Sequence, residues 1–341
     1  MVRPVVTKAI RAVLLTAVVV IPAASGWLVR ELRTTGPQPG EPVLVEIERG
    51  WSARAVLERL SRAGLVRSAL ALRLACRAFY PGESFKAGEY LFTTPLEPKA
   101  AILQVFAGRI HLVPVVVPEG LTGEEIAALV RPGDAEGAAA FRRAFLATEL
   151  IADWDPRAQD LEGYIFPDTY RLPRKASEED LIEAMVAEFR EVFDEDRRRR
   201  AAELGLSVRD VVTLASLIEE ETALPEERPL VSAVFHNRRK IGMKLDCDPT
   251  VAYALKRAGR YTGRLLLRDL RFESPYNTYL HAGLPPGPIS NPGRESLDAA
   301  LHSAAETYLY FVARGDGSHA FSRTLGEHLD AVRRFRALKN R

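Results

Sequence analysis

The 341 residues hold only two cysteines, Cys76 and Cys247, and they lie far apart in the chain. They form no CxxC and match no metal-ligand spacing, so a redox motif, a zinc knuckle and a disulfide framework are all excluded, and no pairing is assigned. Cys76 lies within LALRLACRAF, where a buried structural thiol is expected. The six histidines show no HxxxH or HxxE spacing, which removes support for a metal site. GxSxG, the phosphate-binding P-loop and GxGxxG are all missing, so acyl-enzyme, nucleotide-triphosphate and dinucleotide chemistries lack their usual signs. No cofactor is expected. Charge of one sign is lacking too: the formal net charge is +2, with 27% charged residues, so the molecule is not built to hold nucleic acid. The run DEDRRRRAAEL at 194–204 is basic, but its acidic neighbours nearly cancel it and no aromatics interleave. It reads as a solvated helix face.

What is present begins with a membrane signal. Arg3, Lys8 and Arg11 precede AVLLTAVVVIPAASGWLV, an uncharged run over 12–29 that is long enough to cross a hydrocarbon core. Trp27 stands where an interfacial indole would sit, and Arg30, Glu31 and Arg33 close the run. PAASG offers a cleavage site for the competing signal-peptide reading, yet the run is longer than a typical signal core. A retained single-pass anchor is therefore expected, with residues 1–11 in the cytoplasm. The rest of the chain would then face the extracytoplasmic side of that membrane. A Pro/Gly-rich linker ends this region, giving bounds of 30–42.

The remaining chain predicts an α+β protein: a small αβ unit over 43–109, then a mixed α/β domain over 110–341. VLVEI reads as a strand, Ser52 as the N-cap of a helix stopping before Gly64, and ALALRLACRAFY as a second helix before the strand AGEYLFTT. HLVPVVV then starts a similar strand–turn–helix plan, with Thr122 and Glu125 as a capping box. An internal repeat and two uses of one common connection both remain open. Residues 133–205 are mostly helical. The C-terminal third alternates short strands, TYLYFVAR and HAFSR, with helices, around the long loop SPYNTYLHAGLPPGPISNPG. A loop of that length inside a domain usually has a function.

Three consecutive glutamates end the helix SVRDVVTLASLIEEET, which Ser207 and Asp210 open with another capping box. At about 100° per residue, Glu219 falls about 20° from Val208, inside the stripe formed with Val212 and Ala215. Glu220 and Glu221 swing to about 120° and 140° on opposite sides. Glu219 alone points with the apolar face. There it could be a paired structural acid, or a general acid whose pKa desolvation raises.

ASLIEEET, LEGYIFPDTY, NRRKIGMKLDCDPTVAYAL, SPYNTYLHAGLPPGPISNPG and TYLYFVARGDGSHAFSRT occur together as in the endolytic murein transglycosylases, the MltG or YceG-like family. The chain resembles that family over nearly its whole length, including the single span and a unit over 43–109 that looks like a LysM domain. The resemblance implies a membrane-anchored lyase. Such an enzyme cuts the β-1,4 bond between N-acetylmuramic acid and N-acetylglucosamine within nascent glycan strands, leaving 1,6-anhydro-muramyl ends. It implies Glu219 as the catalytic acid, later base, and Glu221 as the motif's second acid. Tyr276, Asn277 and Thr278 become candidates to hold sugar hydroxyl and acetamido groups, with Ser216, Glu221 and Asp248 beside them. For these residues the ordinary alternatives are core packing and, at Asp248, an Asx turn before Pro249. Glycan strands are the implied partner, with glycan polymerases and division proteins implied by resemblance alone. Two rivals stand: a wall-binding scaffold without turnover, and a hydrolytic muramidase.

Overall fold

The computed structural model describes residues 3–35 and 40–339, with side chains described over 18–35 and 40–337. The chain divides into two units, one of residues 1–113 and 171–175, the other of 114–170 and 176–341.

The first unit opens with helix α1 (Arg3–Arg33), which carries Pro22 within it. Among the described residues, no helix is long and apolar enough to cross a membrane. The span expected over 12–29 is thus not supported there, and the side chains of its first part, 12–17, lie outside those described. The linker expected from residue 30 begins instead as the last turn of α1, where Leu32 is buried and Leu28 packs against the core. Strand β1 (Val43–Ile47) follows, then α2 (Ala53–Arg62), α3 (Ala69–Phe79), β2 (Gly88–Phe92), α4 (Pro98–Ala107) and β3 (Leu112–Val116), which passes into the second unit after Val113. β1 and β2 pair antiparallel, with Val45 opposite Tyr90. Their buried face meets Val56, Leu57 and Leu60 of α2, Leu72 and Ala75 of α3, and Ile102 and Val105 of α4. Ser52 caps α2 by accepting from the Ala55 N–H at 3.3 Å, as the sequence predicts.

The second unit holds α5 (Gly123–Val130), α6 (Ala135–Ala144), β4 (Thr169–Pro173, shared at its end with the first unit), α7 (Glu178–Val192), α8 (Glu195–Glu203), α9 (Val208–Glu221), α10 (Arg228–Lys240), α11 (Asp248–Arg257), α12 (Arg294–Leu301), β5 (Tyr310–Ala313), β6 (His319–Ser322) and α13 (Leu325–Lys339). Among the described residues the strands form two-membered sheets, β1–β2, β3–β4 and β5–β6. This is a mixed helix and strand protein, and helices dominate its core.

α9 is the central element. Every residue from Val211 to Ile218 is buried, because the helix packs on α12, α10 and α11 at once. Its start is fixed twice. Ser207 and Asp210 complete the capping box, and Arg209 donates to the buried Asp155 carboxylate at 2.8 Å, which also accepts from the Tyr164 hydroxyl at 2.7 Å. Its end is fixed as well: the Thr222 hydroxyl accepts from Leu224 N–H at 3.1 Å and donates to Glu227, whose carboxylate takes the His319 N–H at 2.8 Å.

One side chain ties the loops around α9 together. Asn291 is fully buried; its Oδ1 accepts from Gly163 N–H at 2.8 Å and Ile165 N–H at 3.3 Å. Its Nδ2 donates to Leu121 O and to Glu162 Oε1, both at 2.9 Å. Three segments far apart in sequence are thereby held in register.

Candidate active site

α9 delivers its three glutamates at a C-terminal end, where the helix dipole disfavours negative charge. Glu219 is turned inward as the helical projection predicts, its side chain 8% exposed. Its Oε1 takes a hydrogen bond from Arg228 Nη2 at 3.1 Å, and its Oε2 from Gly293 N–H at 3.0 Å. The apolar surroundings expected of a general acid are therefore not what the fold provides. The chain turns after α9 through the 3-10 segment Pro225–Glu227 and brings Arg228, first residue of α10, back onto the acid.

Arg228 is shared by three carboxylates. It pairs with Glu295 through Nη1, and Glu119 lies 3.8 Å from Nη2 beside Glu219. Burial and the charge of Glu219 push the Glu119 pKa above the usual carboxylate range, against the pull of Arg228. Gly293 stands between the acids: a Cβ built there would meet the Glu119 carboxylate at 1.9 Å, while its N–H holds Glu219. Glu119 and Glu295 remain about half exposed, so the cluster reaches solvent on that side.

The other two glutamates behave differently. Glu220 is exposed and lines a hollow of about 290 Å³ with Asp248, Tyr253, Lys256 and Tyr261. Glu221, the motif's second acid and an expected substrate-binding residue, is half-buried and hydrogen-bonded to the Cys247 thiol; desolvation pushes its pKa up to about 7. A second hollow of about 570 Å³ shares the walls Thr122, Tyr253 and Lys256 and is backed by Phe141, Phe145 and Glu162. Glu162 was not singled out from LEGYIFPDTY, although its position inside an apolar motif was the available signal. It accepts from Gly123 N–H at 3.0 Å and from the Tyr253 hydroxyl at 3.3 Å, and burial pushes its pKa up to about 8. Glu219 lines neither hollow.

The expected substrate-binding residues divide. Ser216 is buried, donating to Thr213 O and accepting from Ile289 N–H at 3.1 Å, so it braces the loop against α9. Asn277 is fully buried and spends its amide on Leu270 O, Phe272 O and Tyr279 N–H. Thr278 bonds to Cys247 N–H and Thr250. These three hold loop shape and have no side-chain atom free for a sugar. Tyr276 is half-buried, its ring 5.0 Å from that of Tyr253 and 5.7 Å from the Arg257 guanidinium. Asp248 is exposed and accepts from the Tyr279 hydroxyl at 2.6 Å. Of the expected residues, Asp248 lines the 290 Å³ hollow, beside Glu220. Cys76 and Cys247 are both buried free thiols. Among the described residues, no group of three His, Cys, Asp or Glu side chains is placed to hold a metal ion.

Comparison with known proteins matches this chain to the YceG-like family over residues 45–334. A protein of Bacillus subtilis (strain 168) described as an endolytic murein transglycosylase is 33% identical over 324 residues, covering 87% of this chain and 86% of that relative. One of Streptococcus pneumoniae serotype 2 with the same description is 27% identical over 304 residues, 80% of this chain and 54% of that protein, so the chain spans about half of its length. The crystal structure of a YceG-like protein from Listeria monocytogenes superposes with a TM-score of 0.57 at 30% identity, over 86% of this chain and 99% of that one.

Proposed function

The chain belongs to the YceG-like family, and from that premise we propose that it is an endolytic peptidoglycan transglycosylase. It would cut the β-1,4 bond between N-acetylmuramic acid and N-acetylglucosamine inside glycan strands and leave 1,6-anhydro-muramyl ends. The observation that carries the assignment is Glu219. It is the first acid of ASLIEEET, turned inward at the end of a buried helix and held at both carboxylate oxygens.

Three acids sharing one guanidinium leave a formal surplus of two negative charges around Arg228. A sugar laid over that cluster removes water and favours uptake of a proton by the acids. Glu219 donates this proton to the glycosidic oxygen as the bond to C1 breaks through an oxocarbenium-like state. The Glu219 carboxylate then removes the proton of the muramyl 6-hydroxyl, whose oxygen closes on C1. One C–O bond breaks, one forms, and no water is consumed. A single carboxyl suffices because the attacking oxygen belongs to the same sugar. Arg228 and the Gly293 N–H act as positioning groups that keep the carboxylate from turning away.

The enzyme would work from an N-terminal membrane anchor over 12–29 with the chain after residue 29 on the extracytoplasmic face. The uncharged run and the exposed Val18, Val19, Val20 and Ile21 on α1 support that placement. Nascent strands, and the polymerases and division proteins that handle them, are the expected partners.

The test is mass spectrometry of products from uncrosslinked glycan. Glu219→Gln should lower anhydro-muropeptide release by at least about a hundredfold while strand binding persists. Undiminished release by the variant would remove Glu219 from the chemistry. Products with reducing ends from the wild type would make the enzyme a hydrolytic muramidase, and binding with no product at all would leave a scaffold.

A further inference from the structure

A hollow rich in basic side chains lies in the second unit away from Glu219, at the other end of α9. It measures about 750 Å³ and is walled by Arg157, Arg209, Arg239 and Lys240, with the loop Gly283–Pro286 across it. That size suits a ligand substituent rather than a lone ion. Arg209 is already engaged, donating to Asp155 and to Pro286 O. Arg157, Arg239 and Lys240 are different: among the described residues none of them has a carboxylate partner or a side-chain hydrogen bond. The only acid in the wall, Asp210, is occupied as the cap partner of Ser207.

That pattern contrasts with the most basic run of the chain. Arg197, Arg198, Arg199 and Arg200 on α8 are each paired with an acid. The charge of that run is thus neutralised by acids, one of them Asp298 of α12, whereas the charge of Arg157, Arg239 and Lys240 is left uncompensated where it converges on a hollow. Like charges gathered without a counter-ion repel one another, and an oxyanion entering between them relieves that repulsion. Arg209 and Glu219 are ten residues apart on one helix, so the hollow lies about 15 Å along α9 from the acid. A group seated there is remote from the bond being cut while belonging to the same strand.

We propose that this hollow is a subsite for an oxyanion-bearing substituent of the glycan strand, which sets where along the strand Glu219 acts. The assignment rests on the peptidoglycan reading above. Two sources carry the chemistry: the carboxylates of a peptide stem, and the phosphate at the end of a strand still joined to its lipid carrier.

Binding separates these possibilities without turnover. The probes are fluorescent uncrosslinked strands bearing stem peptides, the same strands stripped of stems by an amidase, and stripped strands treated with phosphatase. The full-length protein in detergent would carry Glu219→Gln, with and without Arg157→Gln, Arg239→Gln and Lys240→Gln together. All three side chains reach solvent, and an unchanged melting temperature establishes that the variant folds. The triple variant should raise the Kd for stem-bearing strands about tenfold or more, with the gap narrowing at high salt. If stripped strands are bound equally by both proteins, stem carboxylates are the ligand. If stripped strands lose affinity until phosphatase removes the difference, the terminal phosphate is. Equal Kd values for every strand in both proteins would overturn the proposal. Charge-dependent binding accompanied by no anhydro product from the wild type would overturn the transglycosylase reading and leave the subsite standing.

Discussion

Glu162 has its carboxyl wedged between a backbone N–H, the Asn291 amide and the Tyr253 hydroxyl, and burial raises its pKa to about 8. An acid whose folded pKa exceeds its unfolded value binds more protons when folded. Its contribution to stability is complete below the ordinary carboxylate range, near 4.5, and is lost as pH rises through about 8. Glu162→Gln, which keeps the shape and removes the charge, should flatten the decline in melting temperature between pH 5 and 8 and leave the variant more stable than wild type at pH 8. A decline as steep as that of wild type would show the group is not the one titrating. At this scale the sequence was readable in part. The inward direction of Glu219 followed from periodicity alone, but Arg228 reaches it only through a turn that no helical projection includes. Ser216, Asn277 and Thr278 looked like sugar-binding polar residues because a dry loop needs the same donors and acceptors as a ligand does. What separates a brace from a binding group is whether its polar atoms are already satisfied within the fold.

Gly163 belongs to the segment that Asn291 fastens beside α9. Its φ is +84°, and a Cβ would lie 2.5 Å from Pro288 and 2.7 Å from Val212. Left-handed backbone and overpacking act together here, so Gly163→Ala should destabilise the second unit by about 2–4 kcal/mol in denaturant unfolding. A loss under about 0.5 kcal/mol would mean the loop yields freely. Helix boundaries were legible wherever caps announced them, as at Ser52, Thr122 and Ser207. α4 carries comparable signs, Pro98 in its first turn and Gly108 at positive φ, but is buried on several faces at Ala101, Ile102, Val105 and Phe106. Without a clean stripe it is invisible to periodicity. β4 was hidden in the same way, since five residues paired to a distant strand leave little local pattern.

At the scale of the molecule, sequence placed a unit boundary near residue 109, whereas the chain divides at 113 and returns residues 171–175 to the first unit. A segment borrowed from farther along the chain has no signature in composition or charge. The end of α1 also belongs to that unit, because Leu28 and Leu32 pack into its core. A truncation that keeps residues 26–341 should therefore retain the melting temperature of the full chain and move from the membrane to the soluble fraction. Persistent membrane association after truncation would show that the N-terminal run is not the anchor.

Asn291 also bears on when activity can arise. The ribosome makes residues 119–122, 162–165 and 219 long before it makes 291, and the buried amide that clamps the first two segments beside the third comes last. A chain threaded out only as far as residue 290 thus carries Glu119 and Glu219 but lacks Asn291, the Gly293 N–H and Glu295. On the function proposed above, glycan strands meet a competent site only after residues 291–295 have been made.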